Sequence, residues 1–202
     1  MIDHVVFDIG RVLIHWDPEA PYLALIPDDT ERSRFLAEVC NSAWNLEQDR
    51  GRSWEAAEAE AIARHPDQAA LIRAYRANWQ DMVPHAYDNT VTLLRNLIAQ
   101  GIDVTLLTNF AADTFREAGA MYPFLGESRG VTVSGEIGLV KPDRGIYEHH
   151  AARFGLKPER TLFIDDSLAN VEGAKAAGWQ AVHFTGAAKL AEDLLRYGLT
   201  AR

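Results

Sequence analysis

Four short apolar runs, with helical patterns between them, constrain this chain more than any other feature. They are Val5-Val6-Phe7, Val104-Thr105-Leu106-Leu107, Thr161-Leu162-Phe163-Ile164 and Ala181-Val182-His183-Phe184. Each has the β-branched, aromatic or leucine-rich composition of a strand covered on both faces. The stretches 143–155 and 170–178 read as helices and are stopped by glycine. The stretch "GVTVSGEIG" (130–138) offers one more strand. Strand and helix alternation of this kind predicts an α/β fold, a doubly wound and mainly parallel sheet with right-handed crossovers.

The first crossover departs from this pattern. From His15 to about Tyr87 no convincing strand occurs, only helical segments at 28–40, 53–65 and 67–83, followed by 88–101 leading back to the sheet. The first of these starts with capping acids and the second is rich in helix formers. The expected organisation is an α/β core made of residues 1–15 and 88–202, with an inserted helical cap at 16–87. Its hinges are placed near Asp17-Pro18 and Pro84-His85. The length of 202 residues suffices for one substantial core with a smaller insert.

The formal charge of −9 gives no basic footprint, which argues against nucleic acid as a partner. An acidic protein that handles anions must concentrate positive charge locally or recruit a cation. A single cysteine, Cys40, excludes an intrachain disulfide and fits a reducing cytoplasm. No basic-then-apolar leader opens the sequence, and no apolar run approaches the ~18 residues of a membrane span. The expectation is a cytoplasmic protein without a membrane partner, monomer or homodimer.

In an open α/β sheet, ligands bind beyond the carboxyl ends of the strands. Those ends carry Asp8, then Thr108-Asn109, then Asp165-Asp166, and Lys141 lies in the loop "LVKPD". Two acid sites, a hydroxyl–amide pair and a lysine on one edge suit phosphoryl transfer. A carboxylate can attack phosphorus to form an acyl phosphate. Magnesium held by carboxylates offsets the repulsion between anions, and a lysine with short donors stabilises charge on the equatorial oxygens.

Taken in order, "FDIGRVL", "LLTN", "KPD" and "FIDDSLANVEGAKAAG" make the sequence resemble the haloacid dehalogenase (HAD) superfamily of hydrolases over almost its whole length. It is most similar to bacterial phosphatase-like members whose first motif reads Asp-x-Gly-x-Val, a group that includes sugar-phosphate phosphatases. The resemblance implies a Rossmann-like core and a small phosphorylated substrate. It makes Asp8 the nucleophile and has Lys141 pair with both the phosphate and Asp8. Thr108 would bind phosphoryl oxygens by its hydroxyl, and Asn109 by its backbone or side-chain amide. The implied cofactor is Mg2+, bound by Asp8, Asp166 and the Gly10 carbonyl, with Asp165 as a further candidate and Asn170 behind the ligands.

Gly10 is a departure, because phosphatases of the family carry an aspartate two residues after the nucleophile that works as general acid and base. The dehalogenases of the family also lack that acid, since halide leaves without a proton, so a 2-haloacid dehalogenase is the alternative reading. A catalytically weak binding module on the same fold is the second alternative. The Asp165-Asp166 pair suits metal-dependent chemistry and favours the phosphatase. Water, the substrate, His15 or Asp17 are candidates for the missing proton donor. In the cap, Trp44, Asp49, Arg50 and Arg52 are expected in an interhelix loop (41–54) facing the site, although Trp44 and Trp54 equally suit the cap's own core. His4, His149 and His150 show no metal spacing and read as packed or solvated.

Overall fold

The computed structural model describes residues 1–200. The apolar runs form β1 (His4–Phe7), β2 (Asp103–Thr108), β3 (Val131–Val133), β4 (Thr161–Asp165) and β5 (Gln180–His183). All are parallel, in the order β3-β2-β1-β4-β5. β1 is central, with Val6 opposite Thr105 on one side and Phe163 on the other. Val5 and Phe7 face one apolar cluster, together with Leu106 and Ile164. Val6 faces a second, with Leu107, Phe163, Tyr147 and Trp179. Burial on both faces is why the run shows no polar alternation. The chain order reverses at β1, which makes the carboxyl edge of β1 the switch point where such sheets bind ligands.

Between β1 and β2 lie α1 (Tyr22–Leu25), α2 (Asp29–Glu38), α3 (Ser42–Asp49), α4 (Trp54–Arg64), α5 (Ala69–Ala77) and α6 (Asp88–Ala99). The remaining helices are α7 (Ala112–Met121), α8 (Ser134–Ile137), α9 (Arg144–Phe154), α10 (Leu168–Ala176) and α11 (Ala187–Arg196). The side chains of Asp28, Asn41 and Ser53 accept the N–H groups of Glu31, Trp44 and Ala56 and so start α2, α3 and α4. Each such cap contributes about 1 kcal/mol. Gly155 ends α9 in the left-handed region, at φ 63°. The stretch 130–138 supplies both β3 and the short α8.

Two expectations for the helical segment are corrected. The stretch 67–83 is not one helix: a 3-10 turn at Pro66–Gln68 precedes α5, and another at Trp79–Met82 follows it. Asn78 makes the second break, leaving helical geometry while its side chain donates to the Ala74 carbonyl at 3.0 Å. The stretch 41–54 is not mainly loop, because the Asn41 cap nucleates α3 over Ser42–Asp49.

Trp44, Trp54 and Tyr75 pack ring against ring at 5.2–5.9 Å, and Tyr22 joins Phe35 at 5.0 Å. The tryptophans therefore build the interior of the helical segment. Its two links to the sheet run antiparallel, Ile14 beside Ala86. His15 donates its N–H to His85, Asp17 to Met82 and Tyr87 to Leu13, at 2.8–2.9 Å. His4 and His150 are buried and His149 is exposed, as packed or solvated histidines should be. Among the described residues no helix is long and apolar enough to cross a membrane.

Candidate active site

Asp8 follows β1 directly, and its N–H still donates to the Ile164 carbonyl of β4 at 2.9 Å. The chain then turns sharply. The Ile9 carbonyl accepts from Val12, Leu13 and Ile14, and Arg11 N–H donates to Ile14. The left-handed residue of this turn is Arg11, at φ 58°, and not Gly10. A Cβ at Gly10 would meet only the Trp16 Cβ, at 3.9 Å. Gly10 is therefore no conformational requirement of the turn.

Lys141 reaches the same edge from the loop before α9. Its ammonium lies 2.7 Å from Asp8 Oδ1 and 2.7 Å from Asp165 Oδ2, and it donates to the Leu107 carbonyl at 3.1 Å. The lysine is held from two directions. Asn109 clamps its main chain, with Oδ1 accepting the Lys141 N–H at 2.8 Å and Nδ2 donating to the Lys141 carbonyl at 2.9 Å. Gly173 of α10 lets the helix approach the following loop so closely that a Cβ there would stand 2.6 Å from the Pro142 carbonyl oxygen. The Asn109 side chain is thus spent on Lys141, and the residue lines the site beside Thr108.

Asp165 is fully buried and saturated. Besides Lys141, its oxygens accept from Ser167 N–H at 2.8 Å and from Asn170 Nδ2 at 3.0 and 3.1 Å. With that many donors around two oxygens, little acceptor capacity remains. Asp166 differs, being half-buried with its main-chain carbonyl accepting from the His183 ring at 2.8 Å. Of the two adjacent acids, Asp165 orients the lysine and Asp166 faces the cavity.

Burial pushes the Asp8 carboxyl up to about 7; the nearby Lys141 works against this shift and Asp165 adds to it. Burial opposes the charged form of Lys141, but Asp165 and Asp8 outweigh it and hold the ammonium above the ordinary lysine range. Burial also raises Asp166, reinforced by Asp165 and opposed by Arg11. Such shifts accompany clustered acids in a dry site. One oxygen from each of Asp8, Asp165 and Asp166 falls within 4.8 Å of the others. Hard carboxylate oxygens are the donors magnesium takes, so this edge fits that ion, with Asp8 and Asp166 as the acids free to serve.

Asp8, Asp166, Lys141, Thr108 and Asn109 form one end of a cavity of about 490 Å³. Its opposite wall comes from the helical segment, and α3 presents Ser42, Asn45, Leu46 and Asp49 there. Their i, i+3, i+4, i+7 spacing places them on one helix face. Trp44 and Gln48 lie on the buried side of the same helix. Arg52 is turned away to Gln48 and Glu60, and Arg50 to Asp143. Of the four residues expected to face the site, Asp49 alone lines the cavity. Trp16, Leu36, Trp54, Tyr75 and Trp79 make the wall largely aromatic and apolar. Trp16, Asn45 and Leu46 were not among the expected site residues; the helical spacing in 42–49 is the signal that finds the last two.

The segment is tied to the sheet across this cavity. Ser134 Oγ accepts from Phe110 N–H at 2.9 Å and donates to the Asp49 carbonyl at 2.6 Å. Trp54 Nε1 and the Arg76 guanidinium donate to Asp113 on α7, at 3.1 and 3.2 Å.

Residues 2–178 match the family of haloacid dehalogenase-like hydrolases, and the chain belongs to that family. Over 193 residues it is 28% identical to the sesquiterpene phosphatase astK of Aspergillus oryzae, covering 89% of this chain and 88% of that protein. A predicted HAD-like family hydrolase from Porphyromonas gingivalis superposes with a TM-score of 0.75 at 24% identity, covering 97% of this chain and 98% of the other. A HAD-family enzyme from Bacteroides thetaiotaomicron, complexed with magnesium and inorganic phosphate, superposes with a TM-score of 0.69 at 21% identity, covering 91% and 94%. The two structural likenesses agree on the fold.

Proposed function

We propose that the protein is a magnesium-dependent phosphatase that hydrolyses a small organic phosphate monoester through an aspartyl-phosphate on Asp8. The observation that carries this reading is the buried ammonium of Lys141, 2.7 Å from Asp8 Oδ1, at a strand edge that also holds Asp166. A carboxylate oxygen of Asp8 attacks phosphorus while Lys141, the Thr108 hydroxyl and the Asn109 backbone N–H stabilise the equatorial oxygens. Asp165 and Asn109 keep the lysine in place. Asp8, Asp166 and the Gly10 carbonyl would hold the ion, which neutralises charge between the acids and the phosphate when bound.

Residues 16–87 act as a cap on a core of 1–15 and 88–202. Its aromatic wall offers large apolar surface to the group esterified to phosphate, which favours an apolar alcohol over a sugar. The likeness to a sesquiterpene phosphatase points the same way. The acid beyond Asp8 favours phosphate with a cation over a haloacid.

The test is hydrolysis of 4-nitrophenyl phosphate with and without magnesium, followed by a panel of prenyl, alkyl and sugar monophosphates. Asp8→Asn and chelation should each abolish turnover, and prenyl or alkyl phosphates should give the highest kcat/KM of the panel. Full turnover by Asp8→Asn would remove the mechanism.

A further inference from the structure

Gly10 leaves the nucleophile without the neighbouring carboxylic acid that a phosphatase uses to protonate its leaving alkoxide. The cavity holds one other carboxyl group away from the strand edge. Asp49 ends α3 on the face that lines the cavity, across from Asp8 and Lys141. Its position is fixed from three sides. Asn45 Nδ2 donates to Oδ2 at 3.0 Å, the Ala111 N–H donates to the carboxyl group, and Ser134 Oγ donates to its main-chain carbonyl at 2.6 Å. Asn45 is itself held by the Tyr75 hydroxyl, which donates to Asn45 Oδ1 at 3.1 Å.

We propose that Asp49 is the general acid and base of the reaction, supplied from the helical segment in place of the residue that Gly10 lacks. The inference rests on the phosphatase reading of the site. In the first step the bond from Asp8 Oδ to phosphorus forms and the phosphorus–ester oxygen bond breaks. Its electron pair goes to the leaving oxygen, which takes the proton of Asp49 and departs as the alcohol. In the second step the Asp49 carboxylate removes a proton from water as the water oxygen bonds to phosphorus. The acyl oxygen–phosphorus bond breaks, its pair returns to Asp8, inorganic phosphate leaves, and Asp49 is again protonated.

The surroundings suit a group that must hold a proton near neutral pH. Burial pushes the Asp49 carboxyl up to about 7, against the Ala111 N–H and the charge of Lys141. The charged and titratable groups facing it are Lys141 from the sheet edge and Tyr75 from α5. Burial raises the Tyr75 hydroxyl, so it stays neutral. An apolar alcohol is a poor leaving group, and its departure needs the proton most.

The test compares hexyl phosphate with 4-nitrophenyl phosphate in the magnesium-loaded enzyme, using kcat/KM because it reports the first chemical step. Asp49→Asn should lower kcat/KM for hexyl phosphate by about 10²–10⁴-fold, and for the aryl ester by less than tenfold. The aryl ester should also show a burst of nitrophenolate followed by slow turnover, as phosphoenzyme waits for a base. Asp49→Glu should recover part of the alkyl activity. In the wild type, the alkyl-to-aryl ratio of kcat/KM should fall as the pH rises through the range in which Asp49 ionises, a measurement that needs no variant to fold. An equal loss on both esters with no burst, or a ratio constant with pH, would overturn the assignment. A wild-type enzyme inactive on both esters would instead remove the phosphatase reading beneath it.

Discussion

Lys141 Nζ lies 2.7 Å from Asp8 Oδ1, with the lysine 2% and the aspartate 7% exposed. Removing one partner of a buried pair strands the other charge, at a cost of about 3–5 kcal/mol. Lys141→Met should therefore destabilise the metal-free protein by about that amount at pH 8, read from urea denaturation. Asp8 can take up a proton at lower pH once the ammonium is gone, so the loss should shrink by pH 5. Activity should fall with it. A variant as stable as the wild type at pH 8 would show that the pair is not held as described.

Gly173 separates geometry from charge. A Cβ there would stand 2.6 Å from the Pro142 carbonyl oxygen and 3.0 Å from the Tyr147 hydroxyl. Gly173→Ala must push α10 away from the lysine's loop, an overpacking that costs about 1–3 kcal/mol. Because α10 also carries Asn170, which bonds Asp165, kcat should fall although no titratable group has changed. Unaltered stability and kcat together would mean that the loop shifts freely.

A buried chain of side chains predicts how the fold responds to acid. His4 Nε2 and Thr105 Oγ1, Thr105 Oγ1 and His150 Nε2, and His150 Nδ1 and Thr132 Oγ1 are each 2.8 Å apart, linking β1, β2, α9 and β3. Burial lowers both histidines, and His150 falls to about 3. Below pH 6.5 the unfolded chain binds protons that these folded histidines refuse, so their contribution to stability declines as the pH falls from 6.5 towards 3, against the opposite contribution of Asp8 and Asp49, whose raised carboxyls take up protons in the fold first. The slope is up to about 1.4 kcal/mol per pH unit for each proton. Urea denaturation of both proteins between pH 7 and 4 should show His150→Gln gaining stability relative to the wild type as the pH falls. An unchanged slope in the variant would place the acid sensitivity elsewhere.

The strand edge proposed as the active site is legible in the sequence because unbroken apolar strands make their terminal acids conspicuous. Asp8 and Asp166 are readable for that reason, and Lys141 from its loop motif LVKPD. Which of Asp165 and Asp166 faces the lysine is not, since adjacent residues at a strand end point to opposite sides. Asn109 reads as a phosphate binder because its amide could serve by side chain or backbone; its clamp on Lys141 exists only once the distant loop has closed. The wall across the cavity is the least legible part. Asn41 as a helix cap and the spacing of residues 42, 45, 46 and 49 are both in the sequence. Trp44 draws attention first, and it belongs to the interior.

Gly10 provides the last prediction, because its backbone is outside the left-handed region and a Cβ there has ordinary room beside Trp16. Gly10→Asp should therefore fold, and a restricted unfolded chain contributes about 0.4–1 kcal/mol in its favour. Set against that is the repulsion of a new carboxylate near Asp8 and Asp166, which a bound magnesium ion would relieve. If Asp49 supplies the proton, the wild-type background gains little from a second acid. The Asn variant at position 49 lacks one, and there Gly10→Asp should raise kcat/KM for hexyl phosphate by about 10²-fold or more while leaving the aryl ester far less changed. The kinetics should be read with magnesium affinity measured in parallel, so that a lost metal is not mistaken for a lost acid. A folded, magnesium-binding double variant that recovers nothing on the alkyl ester would mean that a carboxyl group at position 10 cannot reach the leaving oxygen.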